Sequence, residues 1–143
     1  MIQIRGCIKE DFQGVLKLLE QLWPEKPLDS DALREVFLRA LGSDSQLYVC
    51  AIDGEKLVGF GSLSVKHNLW QQGLLAHLDE LIVDELYRGR GIGARLLEHI
   101  ISQARRKGCA RIDLNSAFHR EDAHKFYKRN GFENRGHVFT KVI

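Results

Sequence analysis

The chain has 143 residues, 44% of them hydrophobic and 28% charged, with a net charge of +2. That length fills one core and would leave two marginal ones if divided, so a single domain over residues 1–143 is expected. The ordinary composition excludes global disorder, and no apolar run approaches the ~20 residues of a membrane span. The start Met-Ile-Gln-Ile-Arg lacks a signal peptide's basic-then-apolar order, so a cytoplasmic protein without a membrane role is expected.

Ile2, Ile4 and Cys7 suggest a short first strand. Phe12, Val15, Leu16, Leu19, Leu22 and Trp23 then recur at helical spacing, with Asp11 as the expected cap and Pro24 as the stop. A second helix is expected over 30–41, on the stripe Leu33, Val36, Phe37, Ala40 and Leu41, ended by Gly42. Residues 46–52 and 56–65 pattern as paired strands around a tight turn at Asp53-Gly54. A polar loop over 66–73 leads to a third long strand, 74–83, whose weak polar alternation predicts cover on both faces. A glycine- and arginine-rich loop, 84–91, precedes a helix marked by Ile92, Leu96, Leu97, Ile100, Ile101 and Ala104 and closed by Gly108. A short strand over 110–114 follows, then a helix carrying Ala123, Phe126 and Tyr127 up to Asn130-Gly131, and a last strand or hairpin in 132–143. The order β-α-α-β-β-β-α-β-α-β describes a mixed α/β sheet with helices on both faces.

Cys7, Cys50 and Cys109 stand singly and far apart, with no C-x-x-C pair. A zinc ribbon, a redox dithiol and a disulfide framework are therefore not expected, and the cysteines count as small buried hydrophobes. No two of the six histidines have H-x-x-x-H spacing, so no metal site is expected. Residues 1–50 hold 6 Lys/Arg against 8 Asp/Glu, and residues 51–143 hold 15 against 11. The basic residues of the second part are interleaved with acidic ones, which argues against a nucleic-acid surface.

The most specific local feature is Arg88-Gly89-Arg90-Gly91-Ile92-Gly93-Ala94, between a buried strand and an amphipathic helix. A helix start offers unpaired N–H groups and the positive end of a dipole. Glycines let backbone approach an anion, and the two arginines add charge, which is what a phosphate or pyrophosphate needs. No Lys-Ser/Thr follows the glycines, which excludes a P-loop. The dinucleotide fingerprint fails because no β-α start precedes the loop and no acidic residue ends a strand about 20 positions on.

Arg88-x-x-Gly91-x-Gly93 at this junction resembles the acetyl-CoA pyrophosphate loop of the GNAT family of N-acetyltransferases. Leu81-Ile82-Val83 resembles the strand whose backbone pairs with the pantetheine arm in that family. Ala123-His124-Lys125-Phe126-Tyr127 with Asn130-Gly131-Phe132 is similar to the family's second signature. Element order and length agree over essentially the whole chain. The resemblance implies a GNAT fold, acetyl-CoA as co-substrate and acetyl transfer to an amine. It implies CoA contacts along Leu81–Val83 and the 88–94 loop, and pairing of small members through their C-terminal strands as homodimers.

It also implies roles for individual residues. Tyr127, at the family's tyrosine position, becomes the acid that protonates the leaving thiolate; its structural alternative is a core ring beside Phe126. Glu80 becomes the base, since the family often places a glutamate on this strand near a bulge. By strand alternation Glu80 shares an apolar face with Leu78 and Ile82, where desolvation raises a carboxyl pKa. His77 and Asp79 alternate onto the other face and are weaker candidates. Where the family commonly has an asparagine, seven residues before the tyrosine, this chain has Arg120. Asn115 is the substitute, and Arg120 a partner for a CoA phosphate or an anionic substrate group. Trp23 and Trp70 are candidates to line the acceptor pocket or to serve as core or interface residues.

A narrower resemblance covers Asn115-Ser116, Arg120, Asp122-Ala123-His124, Phe126-Tyr127, Gly131-Phe132 and Phe139-Thr140-Lys141. These are similar to the small aminoalkylphosphonate N-acetyltransferases. The same tail also looks like aminoglycoside 6′-N-acetyltransferases and small protein acetyltransferases. The expected activity is transfer of acetyl to a primary amine of a small molecule, by direct attack in a ternary complex. The alternatives are acetylation of a protein lysine or N-terminus, and a non-catalytic CoA-binding regulatory module.

Overall fold

The computed structural model describes residues 1–143. Its elements are β1 (Ile2–Gly6), α1 (Phe12–Leu22), α2 (Ser30–Leu41), β2 (Gln46–Asp53), β3 (Lys56–Asn68), β4 (Gly73–Val83), α3 (Ile92–Arg106), β5 (Ile112–Leu114) and α4 (Glu121–Arg129). The expected order holds through α4. Residues 132–143, where a last strand or hairpin was expected, form no helix or strand. A strand exists only through a ladder with a neighbour. This segment has none, and its apolar side chains Val138, Phe139, Val142 and Ile143 stand exposed.

The five strands run β1-β2-β3-β4-β5 across one sheet, and the first three pairings are antiparallel. β4 reaches β5 through α3, the crossover that a parallel neighbour requires. The β2–β3 hairpin pairs Asp53 with Lys56, so its two turn residues are Gly54 and Glu55, one position later than expected. Only Gly54 has positive φ (62°), as a turn with glycine at its first central position demands. The β3–β4 strands extend to Asn68 and from Gly73, which shrinks the expected 66–73 loop to 69–72. Asn68 accepts a hydrogen bond from the Gln71 N–H at 2.8 Å and closes that turn.

α1 and α2 cover one face of the sheet, with Phe12, Val15, Leu18, Leu19, Phe37, Phe60 and Ile82 buried between. Phe12, Phe37, Tyr48 and Phe60 form a continuous ring contact, with centroids 5.5, 5.6 and 5.3 Å apart. α3 covers the other face, pressed onto two glycines of β3. A methyl at Gly59 would lie 2.8 Å from Leu96 Cδ1, and one at Gly61 2.5 Å from Ile100 Cδ1. Asp11 does not cap α1 as expected. A short 3₁₀ turn (Lys9–Asp11) precedes the helix, and the Asp11 carboxylate accepts instead from the Ile8 N–H and the Arg5 guanidinium.

The chain divides into two compact units, Met1–Asp113 and Leu114–Ile143. The first holds α1–α3, β1–β4 and the core just described. In the second, α4 ends at Gly131 with φ 90°, and the Phe132 N–H bonds back to Tyr127 C=O at 3.0 Å. The Tyr127 ring sits edge-on to Phe126 and Phe132, with centroids at 5.4 and 5.6 Å.

Candidate active site

The register of β4 against β3 slips by one residue: Ser62 faces Glu80, and Leu63 faces Leu78. Asp79 is the extra residue of a β-bulge. The slip overturns the simple alternation. Leu78, opposite Leu63, turns to the α3 face, whereas Glu80, opposite Ser62, lies on the α1–α2 face with Ile82. His77, opposite Ser64, joins Glu80 on that face instead of lying across the sheet from it. Asp79 reaches the same group: Ser64 Oγ donates to Asp79 Oδ1 at 3.2 Å, and His77 Nε2 lies 3.9 Å from that oxygen. Tyr48, opposite Ser62 on β2, completes a patch of Tyr48, Ser62, Ser64, His77, Asp79 and Glu80.

Glu80 is fixed within it. Ser62 Oγ donates to Glu80 Oε1 at 2.5 Å and accepts from the Glu80 N–H at 2.9 Å, and Ser62 is fully buried. Burial pushes the Glu80 carboxyl above its ordinary range; the Ser62 bond opposes that rise, and the negative charge of Asp79 adds to it. Asp79 is likewise raised by burial, with Ser64 and His77 opposing. Tyr48 is pushed up to about 12, chiefly by burial and then by the two carboxylates.

Past the bulge, β4 offers backbone. The Asp84 N–H bonds to Val58 C=O at 2.8 Å, and Ile82 faces Phe60 two residues away, so both belong to hydrogen-bonded pairs with β3. Leu81 and Val83 therefore turn their N–H and C=O groups to the opposite edge. β5 has only three residues, and Arg111 C=O accepts from the Ala76 N–H, so its pairing falls on the N-terminal half of β4. On that edge the Leu81 N–H and C=O and the Val83 N–H have no strand partner, while Val83 C=O accepts from Arg88 Nε.

The strand leads through Asp84 into the loop. Gly89 and Gly91 adopt positive φ (79° and 77°), and a methyl at either would meet nothing within 4 Å, so the backbone faces open space. Gly91 is the N-cap of α3, with no capping side chain and no acid in the first turn. The first N–H groups of α3, from Ile92, Gly93 and Ala94, have no partner within the helix. Arg88 Nε donates to Val83 C=O at 3.1 Å and Arg90 Nη2 to Leu86 C=O at 3.4 Å; neither pairs with a carboxylate. Arg90 also lies over the Tyr87 ring, 4.8 Å from its centroid, while Tyr87 OH donates to Asp53 at 2.9 Å. An uncapped helix start, two open glycines and two uncompensated guanidinia fit a pyrophosphate.

In the second unit, Tyr127 is half-buried. Burial pushes its pKa up, and the charge of Arg120 opposes the rise. Arg120 occupies the N-cap position of α4, and Asn115 is exposed just after β5. Trp70 is exposed and stacks under Arg111, 4.8 Å from guanidinium to ring centroid, while Trp23 is partly packed against the core. Sequence reasoning missed Ser62 and Ser64, whose only signal was hairpin pairing with the 74–83 strand, and Tyr48, whose only signal was its pairing with Ser62 across β2 and β3. It also separated Cys7 from Cys50, which adjacent strands bring together.

The acetyltransferase (GNAT) family model matches residues 12–132. Aminoalkylphosphonate N-acetyltransferase of Salmonella typhimurium is 30% identical over 141 residues, 99% of this chain and 91% of that protein. Glucosamine 6-phosphate N-acetyltransferase 1 of Oryza sativa subsp. japonica is 34% identical over 84% of this chain and 73% of its own. The fold alone is shared with the aminoglycoside N-acetyltransferase AAC(6')-Iy solved with CoA, at 22% identity and a TM-score of 0.89 over 100% of this chain and 95% of that one. With the family matched over most of its length, the chain belongs to the GNAT acetyltransferases. It is an acetyl-CoA-dependent N-acetyltransferase.

Proposed function

We propose that residues 1–143 act as one N-acetyltransferase domain that moves the acetyl group of acetyl-CoA directly to a small primary amine in a ternary complex. The observation that carries this reading is the β4 bulge, which puts a half-buried carboxylate, held by a buried serine, on the strand that runs into the uncapped start of α3. The loop Arg88–Ala94 holds the pyrophosphate, and the outer edge of Leu81, Ile82 and Val83 pairs with the pantetheine arm through the Leu81 backbone and the Val83 N–H. An alkylammonium with a pKa of ~10.4 must lose a proton before it attacks. Glu80, with its raised pKa, takes that proton directly or through water. A strand N–H stabilises the developing oxyanion. Tyr127, kept protonated by burial, supplies the proton to the departing thiolate.

For the acceptor we propose an amine that also carries a phosphorus oxyanion. The names of the two relatives above pair an amine with a phosphonate or a phosphate. Arg120, standing where the family has an asparagine, and Asn115 serve that anion or the CoA itself. The three free thiols suit a reducing cytoplasm, and no helix is long and apolar enough to cross a membrane. A homodimer through 132–143 fits the exposure of Phe139 (92%) and Val142 (96%).

The test is CoA release from acetyl-CoA across aminoalkylphosphonates, amino-sugar phosphates, aminoglycosides, polyamines and a lysine peptide. Turnover fastest on the phosphorus-bearing amines is expected. A preference for the peptide would overturn the small-molecule reading. Acetyl-CoA binding without turnover of any amine would favour a regulatory module.

A further inference from the structure

Outside the acetyl-transfer site, the sharpest cluster of reactive side chains lies where β1 runs into α1. Cys50 sits on β2 opposite Arg5, and Cys7 follows β1 and donates its N–H to Tyr48 C=O at 2.8 Å. Both side chains lie on the α1–α2 face of the sheet. The Cys7 and Cys50 sulfurs and an Asp11 oxygen all lie within 4.8 Å of one another. Cys50 is fully buried, and Cys7 is half-buried toward solvent.

A metal ion would find three donors here, but Arg5 argues against it. Its guanidinium grips both Asp11 oxygens, at 2.7 and 3.0 Å, and lies 3.5 Å from Cys50 Sγ. Both Asp11 oxygens are therefore already engaged by a cation and are poor metal ligands, while the guanidinium face toward Cys50 favours a thiolate there. The charge, the buried thiol and the reachable thiol together make a dithiol.

We propose that Cys7 and Cys50 form a redox-active pair that a peroxide closes to an intramolecular disulfide. The neighbouring Cys50 and burial hold the Cys7 thiol well above its ordinary pKa, so it first gives its proton to a solvent base; the Cys7 thiolate then attacks a peroxide oxygen and the O–O bond breaks. This gives a sulfenic acid at Cys7, while the departing hydroxide takes the proton back from that base and leaves as water. The Cys50 thiolate attacks the Cys7 sulfur, the S–S bond forms, and hydroxide leaves and is protonated. Two thiols and one peroxide become one disulfide and two waters, the two sulfurs being oxidised and the peroxide oxygens reduced. In the reduced protein the Cys50 thiol donates to Arg5 C=O at 3.6 Å and to Asp11 Oδ2 at 3.9 Å, and the Arg5 guanidinium 3.5 Å from its sulfur favours the thiolate that resolves the sulfenic acid, against burial and the Asp11 carboxylate. Cys7 lies one residue beyond the end of β1, so closure needs no break in the sheet ladder. The disulfide would tie the base of α1 to the strand that carries Tyr48.

The experiment uses the whole chain, reduced, freed of reductant and exposed to hydrogen peroxide. Remaining thiols are then alkylated and the peptides mapped without reduction. The expected result is a Cys7–Cys50 linked pair, lighter by two hydrogens, with Cys109 alkylated and dithiothreitol restoring both thiols. The C109S variant should behave alike, and C7S should give no linked pair. Alkylation of Cys7 and Cys50 after peroxide, oxygen added to either without linkage, or linkage to Cys109 would each overturn the proposal.

Discussion

At the scale of single residues, Glu80 and Ser62 act as one unit. Ser62 is buried and spends its hydroxyl on both the carboxylate and the backbone of Glu80. A general base works only when ionised, and burial lifts the Glu80 pKa, so kcat/KM should fall as pH drops through that raised value. Ser62→Ala removes a bond that favours the ionised form, so the pKa rises further and the acid limb should move to higher pH. Glu80→Gln should erase the limb and lower kcat/KM by about 10²–10⁴. An unchanged pH profile in Glu80→Gln would place the base elsewhere. Tyr127→Phe keeps the ring contacts with Phe126 and Phe132 and removes only the proton. It should leave acetyl-CoA binding intact and cut turnover at least about tenfold, read by titration beside steady-state kinetics.

At the scale of elements, the join between β4 and α3 is the proposed binding element for the co-substrate. The helix begins at a left-handed glycine, because any other residue there costs roughly 1–2 kcal/mol. The absent Cβ also leaves the loop backbone open to an anion. Gly91→Ala should therefore lose about that much stability and raise the KM for acetyl-CoA at least about tenfold, with kcat changed less. Urea unfolding and kinetics separate the two effects. The glycines of β3 serve packing instead. Gly59 and Gly61 let Leu96 and Ile100 of α3 reach the sheet, which fixes where the helix begins relative to the strand.

At the scale of the whole molecule, ligand binding is linked to folding. Acetyl-CoA at 100 times its Kd adds about 2.7 kcal/mol. For a chain of this size that raises the melting temperature by roughly 3–6 °C. Desulfo-CoA should give a similar shift and NAD none. A melting point unmoved by every CoA species would dismantle the loop assignment together with the residues hung on it.

The order of elements, the 30–41 helix and the Arg88–Ala94 loop were legible in the sequence, because periodicity, capping and glycine chemistry are local. The open, uncapped geometry of that loop was legible for the same reason: its glycines and backbone donors are neighbours in the chain. The faces of β4 were not. One extra residue at Asp79 reverses every side chain beyond it, and that slip is set by pairing with Ser62 and Leu63, far away in sequence. Tertiary structure alone put His77 beside Glu80, made Ser62 the holder of the carboxylate, and joined Cys7 to Cys50 across β1 and β2. It also left 132–143 without a strand, since a strand is decided by its partner rather than by its own residues.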